Sequence, residues 1–214
     1  MSIYSMKCIL KKTSVNHRRH GLILGLASAL ALAGRPTPIW AAAQEADLAD
    51  AIRAVLGQRW RASGWDLPLD QEAGAWCAQT EERLMRWMPD GVLRQELSRS
   101  VWYEARRAGL SLSLVLGLIE VESGFRKHAI SSAGAVGYMQ IMPFWVRAIG
   151  DGDLSALLRT SSNLRYGCVI LRHYLNSENG QLALALGRYN GSRGQPEYPA
   201  RVLAASQAWR RPYD

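Results

Sequence analysis

From about residue 45 onward, apolar residues recur at intervals of three and four along most of the 214-residue chain. That spacing predicts helices over approximately 45–58, 71–88, 91–108, 111–123, 138–149, 161–177, 181–189 and 198–209. No stretch alternates like a strand for long, and no internal repeat is present. "ASGWDLPLD" (62–70) has turn chemistry and separates a leading helix from the rest. The pattern predicts an all-α protein.

The first 43 residues break the pattern. Lys11, Lys12, Arg18 and Arg19 precede "GLILGLASALALAG" (21–34), and "AAAQ" (41–44) follows. A charged region, a short apolar region and a small-residue cleavage signature, in that order, predict a secretory signal peptide cut after Ala43. Fourteen weakly apolar residues fall short of a comfortable bilayer span, so no membrane span is expected in the mature chain. The expected organisation is a signal peptide (1–43), an N-terminal helical extension (44–89) and a main domain (90–214). The protein is expected to work in the periplasm or outside the cell.

Export changes the reading of charge. The whole chain carries 26 Lys and Arg against 18 Asp and Glu. Six of the bases (Lys7, Lys11, Lys12, Arg18, Arg19, Arg35) and none of the acids lie in the leader, leaving 20 against 18. The basic balance therefore belongs mostly to the leader and does not point to nucleic acid. Two cysteines survive cleavage, Cys77 and Cys168, each on an apolar helical stripe. Buried free thiols are the plain reading, but an exported pair favours a disulfide joining an early helix to a late one. No His or third Cys falls at ligand spacing, so no metal site is expected.

One residue resists the core pattern. Glu122 closes the apolar run "LSLSLVLGLIEVESGF", sharing a helical face with Val115, Leu118 and Ile119, while Glu120 points nearly the opposite way. Gly124 can end the helix there. Apolar neighbours and the negative end of the helix dipole both favour the protonated carboxyl, as a general acid near neutrality requires. The bland alternative is an ion pair with Arg126 or Arg165.

Two later segments bear on that choice. "SSAGAVGYMQIMP" (131–143) and "ALGRYNGSRG" (185–194), with "ESGF" before them, resemble the three ordered motifs of the soluble lytic transglycosylases, relatives of the goose-type lysozymes. "DLSALLRTSSNLRYGCVILRHYL" (153–175) resembles the family's helix between the second and third motifs, and the resemblance covers about 108–205. It implies a lysozyme-like, goose-type all-α domain that cleaves the β-1,4 bond between N-acetylmuramic acid and N-acetylglucosamine in peptidoglycan. The implied product is a 1,6-anhydromuramyl end, made without water and without any cofactor.

Residue by residue, Glu122 matches the catalytic acid/base. Met139 and Gln140 match the substrate-groove segment, Tyr189 and Asn190 the pair facing the reacting sugar, and Ser131 a groove serine. Gly134 and Gly137 suit a tight turn and close approach of sugar. Arg188 and Ser192 stand where the family has small residues, and Tyr138 replaces an aliphatic one; these departures bear on subsite preference.

The acid count agrees with the implied chemistry. Glycosidases that retain or invert configuration through two carboxylates need both beside the bond. After Glu122 the acids are Asp151, Asp153, Glu178, Glu197 and Asp214, and the first two lie in "GDGDL", where helix capping accounts for them. A single carboxylate suits a route in which the muramyl acetamido group is the nucleophile. The rival readings are a goose-type hydrolase using water and a non-catalytic peptidoglycan-binding module. Wall turnover and local opening of the wall for a secretion apparatus both fit an exported enzyme of this kind.

Overall fold

A computed structural model describes residues 69–210. The leader, the helix expected over 45–58 and most of the extension lie outside these residues. Seven α-helices follow one another: α1 (Gln71–Leu84), α2 (Gly91–Arg107), α3 (Leu112–Ser123), α4 (Pro143–Ile149), α5 (Thr160–Ser177), α6 (Leu182–Asn190) and α7 (Glu197–Trp209). A 3-10 helix (Leu154–Leu158) precedes α5. Among the described residues, extended pairing is limited to isolated bridges of Val136 with Ile130 and Ile141. The all-α expectation holds. Among the same residues, no helix is long and apolar enough to cross a membrane.

Local chemistry sets the helix starts. The side chains of Asp70, Asp90 and Ser111 accept hydrogen bonds from first-turn amides of α1, α2 and α3, while Pro143 opens α4. Asp153 likewise caps the 3-10 helix through the amide of Ser155 at 2.9 Å.

Helix α3 is the centre of the molecule. Every residue from Leu112 to Ile119 is buried, so its apolar character runs right round rather than along one stripe. Its main partner is α7, and the contact is closest at Gly117. A β-carbon placed there would lie 2.4 Å from the backbone nitrogen of Ser206 and 2.7 Å from its Cα. Only glycine lets the two backbones meet at this distance.

Helix α2 packs against α1 on one side and α5 on the other. Its Glu104 receives Nε and Nη2 of Arg165 from α5 at 3.0 and 2.9 Å, with Arg107 3.6 Å away. This placement corrects the disulfide expectation. Cys77 on α1 and Cys168 on α5 are both free and buried. Cys77 bonds to Ser98 of the intervening α2, and burial pushes its thiol up to about 11. Burial raises Cys168 as well, with the Glu104 carboxylate adding to it. A bridge would have to pass a helix that packs between its two ends.

The segment 138–149 is helical only from Pro143. Before it, Gly137 (φ 81°) and Gln140 (φ 49°) turn the chain through left-handed conformations that no helix accommodates.

Candidate active site

Glu122 sits in the last turn of α3, where the buried helix reaches the surface, and is half-buried. Gly124 ends the helix in a left-handed conformation (φ 57°), and Phe125 follows in the same region (φ 60°). A bulky residue there costs about 1–2 kcal/mol and persists only when its surroundings hold it. Phe125 is 2 % exposed, its ring packed between Trp87 and Trp209.

The hydroxyl of Tyr198, in the first turn of α7, donates to Oε1 of Glu122 at 2.5 Å. Arg165, one of the two counter-ions expected for Glu122, is committed to Glu104. Arg126, the other, donates through Nε to the carbonyl of Ser123 at 2.8 Å. Glu120 receives the indole N–H of Trp209 at 2.7 Å. The two carboxylates near the end of α3 thus serve different ends: one is bonded to an aromatic cluster, the other to a phenol.

The loop between α3 and α4 is held by side-chain amides. Gln140 is buried and donates through Nε2 to the carbonyls of Ala129 and Gly137 at 3.1 and 3.0 Å. Asn163 of α5 accepts from the amide of Met139 at 2.9 Å and donates to the carbonyls of Val136 and Leu157 at 2.9 and 3.0 Å. The close approach at Gly137 is to this side chain, since a β-carbon there would lie 2.2 Å from Nδ2 of Asn163. Ser131 accepts from the amide of Ala135 within the same loop.

Met139 is fully buried, its sulfur against Gly167 of α5, so its side chain belongs to the core rather than to a substrate surface. Its carbonyl is what reaches outward: the hydroxyl of Tyr189, near the end of α6, donates to it at 2.8 Å. That bond joins the second motif to the third. Asn190, next to Tyr189, accepts from the hydroxyl of Ser192 at 3.1 Å.

Part of the chain is similar to a known family. Residues 100–201 match the family model described as Transglycosylase SLT domain. Residues 100–201 are an SLT-type transglycosylase domain.

Among curated proteins, the SLT domain is similar to membrane-bound lytic murein transglycosylase C of several bacteria. It is 33 % identical to that of Haemophilus ducreyi over 105 residues, covering 42 % of this chain and 29 % of the relative. With the protein of Glaesserella parasuis it shares 49 % over 63 residues, 29 % of this chain and 15 % of the relative. With that of Actinobacillus pleuropneumoniae it shares 39 % over 75 residues, 31 % of this chain and 20 % of the relative. The aligned part is thus less than a third of each relative's length. Among solved structures, an inactive mutant of the lytic transglycosylase Slt from Pseudomonas aeruginosa matches with a TM-score of 0.49 and 18 % identity. That match covers 76 % of this chain and 36 % of the Slt chain.

Two of the residues that depart from the family pattern, Arg188 and Ser192, have polar partners. Arg188 and Arg193 both bind Glu178, Arg193 through Nε and Nη2 at 2.7 and 2.9 Å. The two guanidiniums hold the Glu178 carboxyl down to about 2, Arg193 contributing most. Ser192 bonds to Asn190. Tyr138 is fully buried, and desolvation raises its phenol well above the ordinary value.

Sequence reasoning missed two residues, Tyr198 and Asn163. Tyr198 stands at the start of an expected helix, but its pairing with Glu122 spans 76 positions. Asn163 follows the polar run Thr160-Ser161-Ser162, so its sequence surroundings gave no sign that its amide would be buried and bonded.

Proposed function

We propose that the protein is a peptidoglycan lytic transglycosylase in which Glu122 is the single acid/base. The observation that carries this reading is the 2.5 Å bond from Tyr198 to Glu122 at the surfacing end of an otherwise buried helix. An ionisable group placed there, with a hydroxyl donor on one oxygen, suits a carboxyl that must both give and take a proton. Four other carboxylates have separate duties. Asp151 and Asp153 shape the exposed turn before the 3-10 helix, Glu178 is clamped by two arginines, and Glu104 is paired with Arg165. None of these engagements suggests the second acid of a hydrolase.

In the proposed reaction Glu122 protonates the glycosidic oxygen as the bond to the muramyl anomeric carbon breaks. The carbonyl oxygen of that sugar's own 2-acetamido group closes onto the carbon. The carboxylate then removes the proton of the sugar's 6-hydroxyl, whose oxygen displaces the acetamido oxygen and forms the 1,6-anhydro ring. Proton and electron count balance with no water consumed. Tyr189, anchored on the Met139 carbonyl, and Asn190 are the side chains assigned to orient the acetamido group. Gln140 and Ser131 act indirectly, by shaping the loop that carries this carbonyl. Peptidoglycan lies outside the cytoplasmic membrane, so this reading joins naturally to the exported chain expected from residues 1–43.

Digestion of purified sacculi, with product masses read, tests the proposal. Wild-type protein is expected to release muropeptides one water lighter than hydrolysis products, and Glu122→Gln to release none while still binding sacculi. Hydrated reducing ends would identify a lysozyme-type hydrolase. No products from wild-type protein, with binding intact, would identify a binding module.

A further inference from the structure

Trp87 and Trp209 lie outside the family-matched segment 100–201, yet both reach the end of the helix that carries Glu122. Trp87, in the turn after α1, has its ring centroid 5.0 Å from that of Phe125 and 5.3 Å from that of Trp209. Trp209 stands at 5.5 Å from Phe125, edge-on. The three rings close a triangle around a left-handed phenylalanine three residues beyond Glu122. The triangle is tied down on two sides. Arg86 lies 3.6 Å over the ring of Trp87, and Arg83 lies 4.3 Å over Trp209 while donating to the carbonyl of Ala208. The indole of Trp209 also donates to Glu120, two residues before Glu122.

Helix α1 is therefore more than a cover for the core. We propose that Trp87, supported by Trp209, is a positioning residue for Glu122: it holds Phe125 in its left-handed turn and so fixes where α3 ends and where the acid points. The inference rests on the assignment of Glu122 as the acid/base. A turn with an unfavourable backbone conformation relaxes when one wall of its packing is removed. Relaxation displaces a group whose proton transfer depends on sub-ångström placement.

The test uses soluble glycan strands and the full chain, with turnover and KM measured at a temperature where circular dichroism shows each variant folded. Trp87→Ala is expected to lose about ten- to a hundredfold in kcat with KM changed less than about threefold. Trp87→Phe, which keeps a ring against Phe125, should recover most of that loss. Trp209→Phe keeps a ring in the cluster and removes the bond to Glu120, so it should lose less than Trp87→Ala. Trp87→Leu, which removes the ring but keeps apolar volume, supplies the answer should Trp87→Ala fail to fold. A merely structural role would lower the melting temperature and leave kcat intact. Wild-type kcat in folded Trp87→Ala, or in Trp87→Leu where Trp87→Ala does not fold, overturns the inference. Glu122→Gln run alongside separates the two readings: if it turns over, the acid assignment has failed, and the positioning role with it. If it is dead while Trp87→Ala is fully active, only the positioning role has failed.

Discussion

Replacing Gly117 with alanine probes the contact that brings α3 and α7 together. The added methyl would lie 2.4 Å from the nitrogen and 2.7 Å from the Cα of Ser206, and 3.0 Å from the carbonyl carbon of Ala205. All three are backbone atoms, so no rotamer change can make room. To restore an ordinary contact the helices must part by about 1 Å, since non-bonded carbon contacts settle at about 3.5–4.0 Å. Overpacking of this kind costs about 1–3 kcal/mol, against a gain of about 1 kcal/mol from replacing glycine inside a helix. The balance is destabilising, by about 0–2 kcal/mol, a fall of up to about 8 °C in melting temperature for a domain of this size.

Activity should suffer far more. Tyr198 rides on α7 and Glu122 on α3, so the 1 Å separation falls directly on their hydrogen bond, and misplacement on that scale costs about a hundredfold. Calorimetry and release of muropeptides from sacculi read the two effects separately. Trimming Ser206 to glycine in the same chain should rescue neither, because the obstruction is backbone. Wild-type turnover by Gly117→Ala, or full rescue by the Ser206 change, would refute the reasoning.

Other outcomes follow from the polar contacts. Tyr198→Phe keeps the ring and loses the donor to Glu122, and should lower kcat by about ten- to a hundredfold, since hydrogen bonds to charged groups contribute about 1.5–3 kcal/mol; steady-state turnover checks it. Arg165→Met leaves the buried Glu104 carboxylate with only Arg107, 3.6 Å away, and should cost about 3 kcal/mol in urea unfolding, whereas the double change with Glu104→Leu should cost less. Glu178 has its folded value depressed to about 2, so its stabilising contribution is present above the unfolded carboxylate range and fades as pH falls through it towards 2. Melting temperature followed over that acid range should therefore decline less steeply for Glu178→Gln than for wild type.

The helices were legible because their cause is local. Apolar spacing and the capping residues Asp70, Asp90 and Ser111 lie within a few positions of the turns they shape. Glu122 was legible for a related reason, as a carboxyl sharing the apolar face of its run while Glu120 lies on the opposite one. The region before Pro143 misled the periodicity, because "VGYMQIM" is apolar on account of bridges and core packing and not because it coils. Met139 was assigned to the substrate surface on resemblance, while its backbone carbonyl is the part used outside the core. The cysteine pairing failed on a fact of tertiary order, the interposition of α2, that no spacing reveals. The pairing of Tyr198 with Glu122 was hidden likewise, since a contact across 76 positions leaves no periodic trace.

The closeness of α3 and α7 also sets the order in which the enzyme can come into being. A chain that emerges from its N-terminus presents Glu122 long before Tyr198 or Trp209 exists, and until α7 arrives the Gly117 face of α3 has nothing to lie against. The acid is present early but lacks the donor and the packing described around it. On the proposed reading, catalytic competence waits for α7, so a chain stalled before residue 197 would carry every matched motif and leave the wall uncut.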